Sequence, residues 1–356
     1  MSKTKDNGIS FKGQHFYVGM DVHKKRWSVT IRNSGLKLKT FSMDPSPEKL
    51  KVHLETNYPG GIFQLVYEIG FSGYWICRRF KELGLECIVV NPADIPTGHK
   101  EKDRKSDPVD SNKLARELEN GNLHRLYVPL ENDQHLRSLC RHYRKVVQSN
   151  TRVKNRIKGH LDFNGIKVPY QSSYWSRNLI NYLNELPLDN GPAKAYLRLS
   201  LEELEEHRQR LVRILKELRY WVQERGEVRV IQNLRSIPGI GFKTAMIIYT
   251  EIMDIHRFRT LDHLKSYAGL VPSTWSSGET DRTRGLTYRS NSQLKYVLIE
   301  TAWISIRKDP VLLKHYQKLT LRMTKQEAIV RIASKLLNRI RYVWKNDSPY
   351  VMGVIE

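Results

Sequence analysis

Residues 15–43 alternate apolar and polar positions in three short runs, HFYVGMDV, RWSVTIRN and LKLKTFSM, the last two parted by Asn33-Ser34-Gly35. A period of two sends alternate side chains to opposite faces of a sheet, so the pattern predicts a meander of three antiparallel strands. DPSPEKLKVHLETN then opens a helix at a Ser-Pro pair, because proline is tolerated in a first turn whose N–H has no partner anyway. The apolar run IFQLVYE predicts a buried strand, Ser72 to Leu83 an amphipathic helix, and ECIVV a fifth strand before a long polar loop. A last helix begins near Asp107 and continues through VDSNKLARELENG.

Beyond residue 130 the period changes. Leu136, Leu139, Tyr143, Val146, Val153, Ile157 and Leu161, then Leu197, Leu201, Leu204, Leu211, Leu215, Leu218 and Val222, recur at three- and four-residue spacing. Each series is broken once by a polar residue, Asn150 and Arg208. Heptad spacing of this kind predicts two long antiparallel helices, joined here by an Asn- and Pro-containing segment at about 164–192. A helical hairpin within one chain and a dimerising coiled coil both fit the pattern, and the coiled coil is preferred. Next, LRSIPGIGFKTAMIIYTEI places a Pro-Gly-Ile-Gly turn between helical segments, as in a helix-hairpin-helix. Such a turn offers amide groups to a phosphate at the following helix N-terminus, which makes Gly239, Gly241 and Lys243 candidate nucleic-acid contacts.

The expected architecture is therefore α/β plus all-α. Three antiparallel strands followed by helix, strand, helix, strand and helix is the element order of a ribonuclease-H-like (RuvC-like) domain, expected at 1–130. A coiled-coil linker and dimerisation region follows at 131–226, and a mainly helical domain at 227–356.

Charge narrows the partners. The 356 residues carry 60 Lys and Arg against 37 Asp and Glu, a net +23. Such a field attracts polyanions, and counterion release makes nucleic acid the natural one. The basic residues are spread along the chain and not gathered on one amphipathic helix, which argues against a membrane surface. Arg144, Lys154 and Lys158, on the first long helix, are placed to track a phosphate backbone. No apolar run approaches the roughly 18 residues of a membrane span, and MSKTKDNGISFKGQ lacks the apolar core of a secretory signal, so a cytoplasmic protein is expected. Cys77, Cys87 and Cys140 form no CxxC pair and read as reduced thiols.

Four carboxylates sit at element ends. Asp21 closes the first strand, Glu68 the fourth, and Asp107 and Asp110 stand three residues apart at a helix start, on one helix face. Hard oxygen ligands clustered in this way suit one or two Mg²⁺ ions in phosphoryl transfer. Taken singly, Asp21 also reads as a turn cap, and Asp107 with Asp110 as a helix cap and first-turn pair. Asp103 is a rival acid in the loop upstream, whereas His23, His99 and His124 read as surface or phosphate-contacting residues and not as ligands. Finally, VPSTWSSGETDRTRGLTYRS sets Ser276 and Ser277 before a glycine and close to Arg282, Arg284 and Arg289.

These segments together resemble one family. VGMDVHKKRWSV, VYEIGFSGYWICRRFKELGLECIVVNPADIP, DRKSDPVDSNKLARELENGNLHRLYVP, IPGIGFKTA and YAGLVPSTWSSGETDRTRG are similar to the DEDD transposases of bacterial insertion sequences, the family named for insertion sequence one-ten. The resemblance covers nearly the whole chain. It implies an acidic tetrad (Asp21, Glu68, Asp107, Asp110), a serine nucleophile at Ser277 with Ser276 as the alternative, and a transient phosphoserine link. It further implies a structured (bridge) RNA encoded by the element, which pairs with target and donor DNA. A composite site assembled in a homo-oligomer, a dimer or a dimer of dimers, is also implied. The chain departs from the family pattern at Glu279, Tyr288 and Ser290. Two other functions use many of the same residues: a metal-dependent junction nuclease with water as nucleophile, and a non-catalytic nucleic-acid-binding protein.

Overall fold

A computed structural model describes residues 10–96, 106–168, 175–188, 191–277, 280–286 and 290–353, with the side chains of 272–286 outside the description. The chain divides into two compact units, Met1–Val128 and Pro129–Glu356. No helix among the described residues is long and apolar enough to cross a membrane.

The first unit is α/β. Strands β1 (His15–Val22), β2 (Trp27–Asn33) and β3 (Leu36–Met43) form the antiparallel meander, then come α1 (Pro47–Asn57), β4 (Ile62–Glu68), α2 (Trp75–Glu82), β5 (Glu86–Val90) and α3 (Asp107–Glu119). The sheet order is β3-β2-β1-β4-β5. β4 lies parallel to β1 and β5 parallel to β4, as crossovers through a helix require. Ser46 caps α1 by accepting from the Lys49 N–H at 3.2 Å, and Pro47 follows it in the first turn. Helix α2 begins at Trp75, three residues later than the amphipathic pattern alone indicates.

Period-two alternation decides what each sheet face covers. Phe16, Val18, Met20, Trp27, Val29, Ile31, Leu65 and Tyr67 pack with Leu50 and Leu54 of α1 and Ile76 and Phe80 of α2. The opposite face belongs to α3. Leu114 packs there with Val66, Val90 and Ile95, while the Ser111 hydroxyl bonds those of Ser28 (3.2 Å) and Thr30 (2.9 Å). Gly19 lets α3 approach this closely. A Cβ at residue 19 would stand 2.1 Å from the Ser111 carbonyl oxygen and 2.4 Å from the Ala115 nitrogen.

The second unit is mainly helical: α4 (Glu131–Phe163), α5 (Arg177–Asn184), α6 (Gly191–Glu224), α7 (Val228–Arg235), α8 (Phe242–Ile252), α9 (Leu261–Ala268), α10 (Ser292–Ser305), α11 (Pro310–Thr320) and α12 (Lys325–Lys345). Between α9 and α10 runs an antiparallel hairpin of β6 (Pro272–Ser277) and β7 (Thr280–Leu286). Helices α4 and α6 pack antiparallel on each other within one chain. Val153, Ile157 and Leu161 meet Leu197, Leu201 and Leu204 at one end, with α5 adding Leu179 and Leu183. At the other end Leu136, Tyr143 and Val146 join Ile214, Leu218 and Val222 in the core that runs on through α7 to α12. The two polar seam residues differ: Asn150 is buried, and Arg208 donates to the Trp175 carbonyl at 2.7 Å.

Candidate active site

The parity of the sheet places the first two carboxylates. Met20 pairs with Tyr67 in the parallel register of β1 and β4, and both side chains enter the core shared with α1 and α2. Asp21 and Glu68 each follow one residue later, so they stand at neighbouring strand ends on the α3 face. Helix α3 crosses that face over Gly19 and starts with Asp107 and Asp110. Ser106 makes no side-chain cap there.

His23 sits among the acids. Its Nε2 lies 3.2 Å from Asp21 Oδ2 and 3.7 Å from Asp107 Oδ1, and one ligand atom from each of Asp21, His23 and Asp107 falls within 4.8 Å of the others. Burial raises Asp21 above its ordinary carboxylate range; His23 opposes this, and the charges of Asp107 and Asp110 add to it. Like charges gathered on a half-buried acid, with an imidazole nitrogen beside them, fit a divalent cation, which would offset the repulsion. The oxygens suit Mg²⁺, and the imidazole extends the set toward Mn²⁺. Sequence reading placed His23 at the surface or against phosphate and not among the ligands; it is exposed, and it lies beside two of the acids.

The structure thus brings Asp21 and Asp107 together around His23, with Asp110 near enough for its charge to act on Asp21 and Glu68 on the adjoining strand end. Asp103 lies outside the described residues, as do His99 and Arg289.

The serine stretch forms β6 and the start of the hairpin. In backbone register Ser277 pairs with Thr280, Ser276 with Asp281 and Trp275 with Arg282, and Arg284 lies farther along β7. The root of this hairpin is fixed by a buried ion network. Glu251 of α8 is 1 % exposed and accepts two hydrogen bonds from Arg141, both at 2.7 Å. Asn291, which caps α10 just after the hairpin, donates to Glu251 at 2.8 Å. Burial alone would raise Glu251, but the bonds from Arg141 and Asn291 and the charge of Arg137 hold it below the ordinary carboxylate range.

The other candidate nucleic-acid contacts have individual surroundings. Gly239 (φ +96°) lies where a Cβ would meet Ser305 Oγ at 2.6 Å, and Ser305 donates to the Pro238 carbonyl. That glycine lets the turn between α7 and α8 pack on α10. Gly241 faces open space at the N-terminus of α8. Lys243 lies over the Tyr143 ring and Arg144 over Tyr296. Lys154 lies over Trp175, and burial followed by the charges of Arg208 and Lys158 pushes its ammonium below the usual lysine range.

Comparison with known proteins points the same way. Residues 231–317 match the family described as Transposase IS116/IS110/IS902 family. Residues 18–165 match a second family, described as a transposase of the DEDD, IS110 type. A putative transposase y4qE of Sinorhizobium fredii is 28% identical over 298 residues, covering 81% of this chain and 71% of that protein. The transposase for insertion sequence element IS1111A of Coxiella burnetii is 25% identical over 67% of this chain and 64% of its own. A pilin gene-inverting protein of Moraxella bovis is 32% identical over 35% of this chain and 39% of its own.

Proposed function

The chain belongs to the IS110 family of transposases, and we propose that it cuts and rejoins DNA through a transient phosphoserine link formed by Ser277. The approach of Asp21 and Asp107 to one another, with the charge of Asp110 acting on Asp21 and Glu68 at the adjoining strand end, carries this reading. The sheet order, with two parallel strands added to an antiparallel meander, supports a ribonuclease-H-like assignment for the first unit. The Moraxella relative, named for gene inversion, favours strand exchange over simple cutting.

Magnesium bound by Asp21, Glu68, Asp107 and Asp110 would supply Lewis-acid polarisation of the scissile phosphate. The chain's own groups do the rest. Ser277 Oγ bonds to phosphorus as the bond to one strand's oxygen breaks, and the serine proton passes to that departing oxygen. A hydroxyl of the exchanging strand then attacks the phosphoserine and releases the serine, so the phosphodiester is restored without an external energy source. Arg282, Arg284 and Arg289 hold phosphate oxygens as the charge shifts. Ser276 is the neighbouring hydroxyl that would act if Ser277 does not. An element-encoded structured RNA supplies the sequence reading by pairing with donor and target DNA, and the protein works as a homo-oligomer.

Purified protein is incubated with Mg²⁺, labelled donor and target DNA and the RNA transcribed from beside its gene, then resolved on a denaturing gel. The expected product is protein-linked DNA that needs the RNA and disappears in Ser277→Ala. Free nicked DNA persisting in that variant would instead assign water as the nucleophile, and no product with any metal would reduce the protein to a binder.

A further inference from the structure

We propose that a groove between α9, α11 and α12 grips the phosphodiester backbone of a nucleic-acid strand without reading its bases. The proposal rests on the transposase reading and adds a binding site to it.

Two adjoining hollows, about 300 and 330 Å³, share Lys265, His315, Ser334 and Lys335 as walls. Arg331, Ser334, Lys335 and Asn338 recur at the spacing of one helix face on α12, opposite Lys265 of α9 and His315 of α11. Among the described residues neither hollow has a carboxylate in its wall, so Arg331 and Lys335 supply its unpaired positive charge. The nearby acids are engaged. Asp262 pairs with Lys265 at 3.2 Å. Asp309, fully buried, caps α11 and takes Arg339 at 2.5 Å and the Tyr350 hydroxyl at 2.9 Å.

Tertiary contacts therefore sort the basic residues of α12, which sequence alone leaves equivalent. Arg339 is a strut for Asp309, and Arg341 donates to the Arg259 carbonyl at 3.4 Å. Arg331 and Lys335 are exposed and form no ion pair among the described residues. Partial burial, with the charges of Lys335 and Lys318, lowers His315 from its ordinary range. A neutral His315 near pH 7 then offers a hydrogen bond while the lysine and arginine supply the charge. Ser334 and Asn338 add neutral donors, and the walls include aliphatic Leu270 and Leu319, with no Phe, Tyr or Trp among the described lining residues. Charge, short polar donors and aliphatic walls suit phosphate and sugar, the sequence-independent part of a nucleic acid.

The test uses the full chain and an Arg331→Gln/Lys335→Gln double variant. Binding to single-stranded RNA, single-stranded DNA and duplex DNA of one sequence is followed by anisotropy between about 50 and 200 mM salt. Loss of two phosphate contacts should reduce the slope of log affinity against log salt by about 1.4 on a single strand or about 1.8 on a duplex. The nucleic acid on which the slope falls identifies the occupant as guide RNA or element DNA. Thermal midpoints should be unchanged, because neither side chain is paired; Lys335→Ala alone, with about half the slope change, guards against a folding defect in the double variant. Unchanged slopes on all three ligands, in a variant that melts like the wild type, overturn the groove. A wild type that binds none of the three overturns the transposase reading itself.

Discussion

Replacing Gly19 by alanine should damage stability and the candidate active site together. The new Cβ would stand 2.1 Å from one backbone atom of α3 and 2.4 Å from another, where real contacts do not fall below 3.0 Å. Neither atom is the movable tip of a side chain, so α3 has to withdraw by about an ångström. Overpacking of this kind costs about 1–3 kcal/mol. Stretching the Ser111 bonds to Ser28 and Thr30 removes roughly 1 kcal/mol for each bond lost. A total on the order of 3 kcal/mol would lower the melting midpoint of a unit this size by roughly 10 °C. Because Asp107 and Asp110 ride on the start of the same helix, the withdrawal also carries them from Asp21. Differential scanning fluorimetry with and without Mn²⁺ checks both effects: a lower midpoint, and a smaller rise on adding metal. Gly159→Ala is the control of opposite sign. Gly159 lies inside α4 with open space around it, so alanine there should add about 0.5–1 kcal/mol. If Gly19→Ala melts and responds to Mn²⁺ like the wild type, the close approach of α3 is not what positions the acids.

Asp21→Asn removes one charge from the repelling cluster, so it should leave metal-free stability unchanged or slightly higher and abolish both the metal-induced rise in midpoint and DNA cleavage. His23→Ala should keep the fold and weaken Mn²⁺ binding by about 10–100-fold, the usual cost of losing a group that orients or completes a metal site; titration calorimetry reads this directly, and unchanged affinity would remove His23 from the site. Arg141→Ala should cost about 1.5–3 kcal/mol at pH 7 by removing charge-assisted bonds to Glu251. Glu251 is held below its ordinary range in the folded chain, so its contribution is present above the unfolded value, about 4.3, and is lost as pH falls through the lower folded value. The gap between wild type and Arg141→Ala should therefore narrow in urea titrations carried from pH 7 toward pH 3; a constant gap would show that Arg141 acts through packing alone.

Local pattern carried the first unit a long way. The two-residue period of β1 and β4 already assigns Met20 and Tyr67 to one sheet face and Asp21 and Glu68 to the other, and Ser106-Asp107-Pro108 already marks a helix start. Period and capping are properties of adjacent residues, so a sequence states them outright. The three- and four-residue spacing likewise foretold α4 and α6, though Cys140 and Ile214 are buried where Leu139 and Leu211 fitted the heptads and are only partly covered.

What the sequence left open was which distant groups meet. Gly19 is one more small residue in a strand until α3, about ninety residues on, lies against it. His23 is a surface histidine in both readings, and only the fold brings Asp107 beside it. Glu251, in an otherwise apolar helical run, gives no sign that Arg141 and Asn291 will neutralise it at the root of the serine hairpin. On α12, Arg331, Lys335, Arg339 and Arg341 are alike in sequence, and Asp309 and the Arg259 carbonyl separate struts from cations with no ion pair among the described residues. A charge or a hydroxyl takes its role from the field and the partners around it. Those come from segments far apart in the chain, so only the tertiary structure decides them.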